Sequence, residues 1–226
     1  MGRMRVLAFD TSTEFLSLAL LIDGAILVRE THAGQRHSEL TLPLLNVLLT
    51  EADVSLRSLD GIAFGQGPGS FTGIRIACGI AQGLAFGADL PLVGISSLLA
   101  LAAQAEASQV IACLDARMSE IYHAAYQLQG EDWIEIHAPG LYAAQTAPAL
   151  VGQDWVGIGS GFKVADGALR RHYAQQLNQV LEERFPHARE IAQLGARRLA
   201  RGQGVPAWQA APLYIRDKVA LKTSER

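Results

Sequence analysis

The chain has 226 residues, of which half are hydrophobic and 18% charged, so it can bury a substantial core and is neither disordered nor fibrous. Its formal net charge of −3 gives no overall positive field, and any contact with nucleic acid must therefore be local or made through a partner. Cys78 and Cys113 lie in apolar runs without metal-binding spacing. This pattern favours a reducing, cytoplasmic setting over a disulfide scaffold or a zinc–cysteine site.

The N-terminal region carries no recognisable targeting signal. The apolar run directly before Asp10, residues 6–9, has only four residues, which is too few for the core of a signal peptide. The best candidate for a membrane span, residues 76–88, is interrupted by Gly79, Gly83 and Gly87, and we predict no span there. We therefore expect a cytoplasmic protein.

The first third of the chain begins with three predicted strands and a helix. Residues 6–9, 15–22 and 25–28 are short apolar runs, and Asp23-Gly24 is a favoured two-residue hairpin turn. The helix covers about residues 39–52. Its cap is Ser38, or Thr41 if Pro43 delays the start.

The leucines of this first helix do not form a single apolar stripe. One face carries Leu40, Leu44, Val47 and Leu48, while Leu42 and Leu49 fall on the opposite side and Leu45 lies between. A surface helix needs only one stripe. Either the helix is buried on both sides within its own fold, or it packs on a sheet and meets a partner on the outside.

A second strand–helix alternation follows. The predicted elements are a strand at 59–64, a glycine-rich turn at 65–69, a helix to about residue 86, a strand at 91–94 and a helix from about 96 to 107. Ser70 or Thr72 caps the first of these helices and Gly87 ends it. Three strands followed by helix, strand, helix and strand is a ribonuclease-H-like order.

The second half of the chain gives weaker signals. The predicted strands are 110–114, 121–126, 133–136 and 155–158, the predicted helices are 169–185 and 191–201, and residues 202–206 are a linker. The tail at 212–220 receives no assignment. We predict an N-terminal lobe at 1–107, a smaller C-terminal lobe at 108–204 and a C-terminal tail at 205–226.

The segment from Gly65 to Gly73 reads G-Q-G-P-G-S-F-T-G and lies between a strand and a helix. Glycines there let the backbone approach a ligand, and a helix start offers free N–H groups to an anion. It is not a Walker loop, because no lysine follows the last glycine, nor a dinucleotide fingerprint, because Thr72 replaces the third glycine. Both a ligand loop and a turn with unusual backbone angles remain open.

The helix after this loop has a ridge of small residues at four-residue spacing: Gly73, Ala77, Ala81 and Ala85. Glycine inside a helix costs about 0.5–1 kcal/mol relative to alanine, so a close contact is expected to offset it. The ridge permits either tight packing on its own sheet or close approach of another helix.

Few residues are candidates for chemistry. Asp10, which begins the sequence Asp-Thr-Ser-Thr after the first strand, could hold a metal or phosphate, or could cap a turn. The six histidines show no metal-binding spacing, so we predict no metal site. No G-x-S-x-G nucleophile elbow occurs, and a peptidase is not supported.

Five segments resemble the bacterial TsaB (YeaZ) family: residues 7–12, 37–39, 60–76, 93–98 and 212–216. The resemblance implies an α/β, actin-like (ASKHA, ribonuclease-H-like) fold of two lobes, with mixed sheets flanked by helices. It also implies a role in forming threonylcarbamoyladenosine (t6A) in tRNA that reads codons beginning with A. Members act as the non-catalytic partner of the paralogous transferase TsaD, joined by the ATPase TsaE, and ATP and metal are expected on those two proteins.

Two departures from the catalytic pattern support a non-catalytic role. The paralogue's metal-binding H-x-x-x-H corresponds to His37 and Thr41, and Ser12 stands where active members of the wider fold have glycine. A candidate vestigial nucleotide site comprises Asp10, Thr11, Ser12, Gly67, Gly69 and Ser70. The candidate partner-binding residues are Leu42, Leu45, Leu49, Gly73, Ala77, Ala81 and Ala85.

The resemblance implies a heterodimer with TsaD and further contact with TsaE. We also expect a homodimer when the chain is alone, and contact with tRNA only through the complex. The alternative is a stand-alone actin-fold ATPase or small-molecule kinase that uses Asp10 and the loop at residues 65–70.

Overall fold

The computed structural model describes residues 4–216, which form two five-stranded sheets. The strands of the first sheet are β1 (Arg5–Asp10), β2 (Phe15–Ile22), β3 (Ala25–His32), β4 (Gly61–Gly67) and β5 (Leu92–Ser96). Their order is β3-β2-β1-β4-β5, with antiparallel pairing from β3 to β1 and parallel pairing from β1 to β5. This confirms the predicted mixed sheet, with β3 extending four residues beyond its expected end at Val28.

The second sheet repeats this arrangement. Its strands are β6 (Gln109–Arg117), β7 (Glu120–Gln129), β8 (Asp132–Ala143), β9 (Trp155–Ile158) and β10 (Leu177–Leu181). Their order is β10-β9-β6-β7-β8, with parallel pairs from β10 to β6 and antiparallel pairs from β6 to β8. The two sheets therefore share strand order and direction, although no repeat is visible in the sequence.

Five α-helices cover the sheets: α1 (His37–Glu51), α2 (Phe71–Ala88), α3 (Ser97–Ala102), α4 (Ala168–His172) and α5 (Ala188–Ala200). Short 3-10 turns lie at Leu56–Ser58, Ala144–Thr146, Ser160–Lys163 and Ala207–Gln209. Helices α1 and α2 pack on one face of the first sheet and α5 on the other. Helix α3 packs against the second sheet, and its leucines join the two lobes.

Helix α2 begins and ends by ordinary capping. The Ser70 hydroxyl accepts a hydrogen bond from Gly73 N at 3.4 Å, which decides between the two predicted caps. The helix continues one residue past Gly87 and stops at Asp89, whose φ of 57° is left-handed. By length and composition alone it could cross a membrane, yet one side of it is buried on the first sheet.

The predicted helix at residues 169–185 is wrong. Helix α4 ends at His172, and residues 177–181 form the edge strand β10, paired with β9. The segment has a helix-forming composition, but pairing with the second sheet overrides local propensity. The helix predicted from residue 96 to about 107 is also shorter, ending at Ala102.

The lobe boundaries stay a prediction, and parts of the first and last units, at residues 1–3 and 217–226, lie outside the described residues. Helix α5 belongs by sequence to the predicted C-terminal lobe. Its buried side, including Ile191 and Ala192, nevertheless packs against β1, β2 and β4 of the first sheet. The chain thus returns to the first lobe before its C-terminal segment.

Candidate functional site: a closed loop beside an inter-lobe cleft

The turn after β1 places a buried carboxylate beside the glycine-rich loop. Asp10 is 1% exposed. Its Oδ1 accepts hydrogen bonds from Ser12 N at 2.8 Å and from Ser12 Oγ at 2.6 Å, and its Oδ2 lies 3.5 Å from Ser97 Oγ. Both carboxylate oxygens are therefore directed at groups of this chain.

Burial raises the pKa of Asp10 to about 6, because removal from water disfavours the charged form more than the hydrogen bonds from Ser12 and Ser97 favour it. At neutral pH the group is therefore a carboxylate held by its own chain at an energetic cost. Ser12, at the position where the catalytic pattern has glycine, supplies both of the shorter hydrogen bonds.

Other atoms of the chain occupy the space that side chains would need at three glycines of the loop. A Cβ on Gly65 would overlap the Asp10 carboxylate, and one on Gly73 would overlap the Thr11 carbonyl. A Cβ on Gly69 would lie 2.5 Å from the Ser12 carbonyl oxygen. The close backbone approach anticipated from the sequence is thus an approach of the β1–β2 turn.

Hydrogen bonds lock the same two segments together. Ser70 N donates to the Ser12 carbonyl at 2.7 Å, and Thr11 Oγ1 donates to the Gly73 carbonyl at 2.7 Å. The structure therefore brings together five of the six candidate nucleotide residues. The sixth, Gly67, instead faces the C-terminal segment, where a Cβ would lie 3.1 Å from the Leu213 carbonyl oxygen.

A cleft of about 860 Å³ lies between the lobes beside this closed loop. Its first-lobe wall includes the start of α2, from Ser70 to Ile74, and its second-lobe wall includes residues 114–118. Residues 213–216 line it as well. The sequence analysis singled out residues 212–216 by their resemblance to a family. The local sequence pattern did not predict that they would line a cleft.

His37 and Thr41, the two residues compared above with a metal-binding H-x-x-x-H pair, contact backbone carbonyl groups of this chain. His37 is buried, and its Nε2 lies 3.3 Å from the Phe15 carbonyl oxygen. Thr41 Oγ1 donates to the His37 carbonyl at 2.6 Å, one turn back along α1. Across residues 4–216, no three His, Cys, Asp or Glu side chains are grouped so as to hold a metal ion.

The small-residue ridge of α2 does not face outward. Gly73, Ala77, Ala81 and Ala85 are all buried against the first sheet, where Ala77, Ala81 and Ala85 belong to its core. This corrects the expectation of a flat outer ridge. The physical reason is that a helix lying close to a sheet needs small side chains on its inner face. Tight packing on its own sheet was the other of the two interpretations left open by the sequence.

The three candidate leucines of α1 have different environments. Leu42 is 48% exposed, Leu45 is buried, and Leu49 is partly buried against the first-sheet core. Their assignment to a partner stays a prediction, and Leu42 is the member of the three that is accessible in this chain.

Sequence reasoning missed a second glycine stripe on α2. Gly79, Gly83 and Gly87 recur every four residues, are exposed, and have nothing within 4 Å of an added Cβ. Leu42 and Val47 of the neighbouring α1 are exposed too. We call these five residues the outer α1–α2 face. The four-residue spacing of the glycines was visible in the sequence, but which of two small-residue stripes faced the sheet was not.

Comparison with known proteins agrees with this architecture. A chain from Escherichia coli named "tRNA threonylcarbamoyladenosine biosynthesis protein TsaB" is 36% identical over 230 residues, which cover 97% of both chains. A Haemophilus influenzae protein of the same name is 34% identical, covering 98% of both chains. The chain belongs to the TsaB family.

Solved structures support the same assignment. YeaZ from Pseudomonas aeruginosa superposes with a TM-score of 0.84 at 37% identity, covering 93% of this chain and 99% of the other. A further structure from that organism, of a protein with similarity to peptidase YEAZ, gives a TM-score of 0.87 at 37% identity, covering 94% and 100%.

The family model for TsaD, tRNA N6-adenosine threonylcarbamoyltransferase, matches residues 28–223. This TsaB-family chain therefore has the predicted actin-like α/β fold, with two mixed sheets flanked by helices.

Proposed function

We propose that this chain is the non-catalytic partner and activator of TsaD in the formation of t6A in tRNA that reads codons beginning with A. The observation that carries the proposal is the closed loop. Asp10 is hydrogen-bonded within the chain, and residues 10–12 occupy the space beside Gly65, Gly69 and Gly73 that a phosphate would need. Such a site is poorly arranged for phosphate chemistry, whereas the full-length similarity to proteins named for t6A biosynthesis supports a role in that process.

The outer α1–α2 face supports a role in association. Each glycine in an exposed helix interior costs about 1 kcal/mol relative to alanine, and nothing in this chain requires a missing Cβ at Gly79, Gly83 or Gly87. Close packing by a helix of another molecule would offset that cost, as in other small-x-x-x-small contacts. Exposed Leu42 and Val47 add apolar surface on α1, the helix that contacts α2.

The proposed occupant of this face is TsaD, and in its absence a second copy of this chain. Because TsaD matches the same family model, α1 and α2 of the two proteins can pair about a pseudo-twofold axis as a four-helix bundle. TsaE and tRNA would then engage the TsaD-containing complex, in the cytoplasm, with ATP and metal bound by TsaD and TsaE. At a net charge of −3, this chain alone should bind tRNA weakly.

The test is co-purification with TsaD followed by a threonylcarbamoylation assay. Gly83→Leu places a bulky side chain in open space, so the isolated chain should fold normally while its affinity for TsaD falls by at least about tenfold. Leu42→Asp should act similarly. Val151→Asp is the matched control, since Val151 is 92% exposed but lies on the second lobe.

The alternative is the stand-alone ATPase or kinase. Pure chain should hydrolyse ATP no faster than its Asp10→Ala variant, and TsaD should be required for tRNA modification. Robust turnover by the isolated chain that Asp10→Ala abolishes would refute the partner proposal in favour of this alternative. Full TsaD binding and activation by both Gly83→Leu and Leu42→Asp would instead refute the proposed face while leaving the partner role standing.

A further inference from the structure

The C-terminal segment, residues 212–216, lines the inter-lobe cleft through residues 213–216 and is bonded to both lobes. On the first lobe, Leu213 N donates to the Gln66 carbonyl at 2.7 Å. This approach depends on Gly67, whose φ of 104° is left-handed and whose Cβ would lie 3.1 Å from the Leu213 carbonyl oxygen. One glycine of the loop therefore serves the C-terminal segment and not a ligand.

The next residue adds a side-chain anchor to the start of α2. Arg75 Nε donates to the Tyr214 hydroxyl at 2.6 Å. The Arg75 guanidinium lies 3.6 Å from the centre of the Phe71 ring and 5.4 Å from that of Tyr214. A guanidinium within 6 Å of two aromatic rings is attracted to both, so Tyr214 is fixed against the first two turns of α2.

Two residues later the chain is bonded to the second lobe. Arg216 Nη2 donates to Glu120 Oε2 at 2.5 Å and to the Ala116 carbonyl at 3.0 Å, with the Arg216 side chain only 15% exposed. These partners flank the β6–β7 hairpin, whose turn holds Arg117, Met118 and Ser119 in left-handed conformations. A charge-assisted, largely shielded pair of this kind is stronger than an ordinary surface ion pair.

The other end of the second sheet has a separate attachment. Arg197 of α5 donates to the Glu131 carbonyl at 2.6 Å, and Arg201 pairs with Asp132 at 2.8 Å. Both acceptors lie at the β7–β8 turn, whereas Arg216 holds the β6–β7 turn at the opposite end of β7. If the bond to Arg216 were lost, the α5 attachment and the packing of α3 would remain, and the lobes could hinge about them.

We propose that residues 212–216 form an inter-lobe strap, which sets the angle between the lobes and holds the cleft closed. Because one end of the strap is fixed to the first turns of α2, its release frees that helix start together with the β6–β7 hairpin. The strap is thus a conformational device: displacement of five residues opens the cleft about the α5 attachment.

Distance measurement by electron paramagnetic resonance tests this directly on the full chain. Spin labels are placed at Arg57→Cys on the first lobe and Val151→Cys on the second, both exposed, while the native cysteines are buried. Excess unlabelled protein suppresses distances between copies. The parent should give one narrow distance distribution, and Arg216→Ala and Tyr214→Ala should each give a broadened one with a longer component.

Hydrogen exchange supplies the second measurement and guards against simple unfolding. In Arg216→Ala, the Leu213 amide and the amides of the β6–β7 hairpin should exchange about tenfold faster, as expected for loss of a charge-assisted hydrogen bond. Amides of β1 and β2 should be unchanged. Because Arg216 and Glu120 act as one pair, adding Glu120→Ala to Arg216→Ala should add little.

The matched control is Arg170→Ala, which removes an ion pair with Glu182 that lies within the second lobe. It should change neither the distance distribution nor the exchange at Leu213. An unchanged distance distribution in both strap variants would refute the strap. Faster exchange throughout β1 and β2 would also refute it, since the segment would then be part of the core and not a link between two folded lobes.

Discussion

Asp10→Asn should stabilise the protein, which is the opposite of what the loss of a working catalytic carboxylate would suggest. The amide keeps an oxygen to accept from Ser12 N and Ser12 Oγ, and its NH2 group can donate to Ser97 Oγ. What the substitution removes is the charge. Asp10→Ala is the matched comparison, because it removes both the charge and the hydrogen bonds.

The magnitude follows from the pKa of Asp10, which burial raises from 3.8 to about 6. A raised pKa means that the folded state binds protons more tightly than the unfolded state. The contribution of protonated Asp10 to the free energy of unfolding is therefore fully present below pH 3.8 and is lost as pH rises through 6. At 1.36 kcal/mol per unit, the charged carboxylate costs about 3 kcal/mol at pH 7.5.

The assay is urea unfolding at several pH values. Asp10→Asn should exceed the parent in free energy of unfolding by about 3 kcal/mol at pH 7.5 and by only about 0.5 kcal/mol at pH 4. Asp10→Ala should gain less at both. A gain that does not depend on pH, or a loss at pH 7.5, would refute the argument that the carboxylate is buried and charged at an energetic cost.

Three further results are expected. Gly83→Ala should raise the free energy of unfolding by about 1 kcal/mol in urea, since Gly83 lies in a helix interior with open space around it. Ala77→Trp should abolish cooperative thermal unfolding, because Ala77 is fully buried in the first-sheet core. Burial lowers the pKa of His123 to about 3, so the folded state binds fewer protons and the contribution of this group to stability falls as pH drops below about 6.5. His123→Gln should remove that contribution, so that the free energy of unfolding in urea rises between pH 7 and 5 through the titration of Asp10.

His123 and Asp10 titrate with opposite effects over the same interval. Between pH 5 and 6, each contributes about 1 kcal/mol per pH unit, destabilising on acidification for His123 and stabilising for Asp10. The two contributions nearly cancel in the parent. Asp10→Asn should therefore expose a loss of stability on acidification that the parent does not show.

The sequence predicted the first lobe well, because its elements carry local signals. The Asp23-Gly24 turn, the loop at 65–73 and the Ser70 cap each fix a boundary through their own chemistry. The strand β10 had no such signal. Its residues favour a helix, and their extended form depends on pairing with β9, which is some twenty residues earlier in the chain.

The orientation of α2 shows a different limit. The four-residue spacing of both stripes is present in the sequence, although only the stripe from Gly73 to Ala85 was recognised, and periodicity alone does not say which side of a helix meets its sheet. Burial of Ala77, Ala81 and Ala85 and exposure of Gly79 and Gly83 decide it. Likewise, the loop glycines were predicted to permit close approach, while the identity of the approaching group, the chain's own β1–β2 turn, depended on tertiary structure.

Two features of the first lobe lower the stability of the isolated chain, and they differ in how the loss can be offset. The charge on Asp10 is sealed among the chain's own groups, so no partner can reach it. The open glycines at 79 and 83, inside the helix, together cost about 2 kcal/mol relative to alanine, and with Gly87 they lie where another molecule can pack. Neutralising Asp10 should therefore stabilise the chain without loss of TsaD activation. Filling the glycine stripe should stabilise the isolated chain while weakening the complex, and this difference separates a closed interior site from a surface that functions in binding.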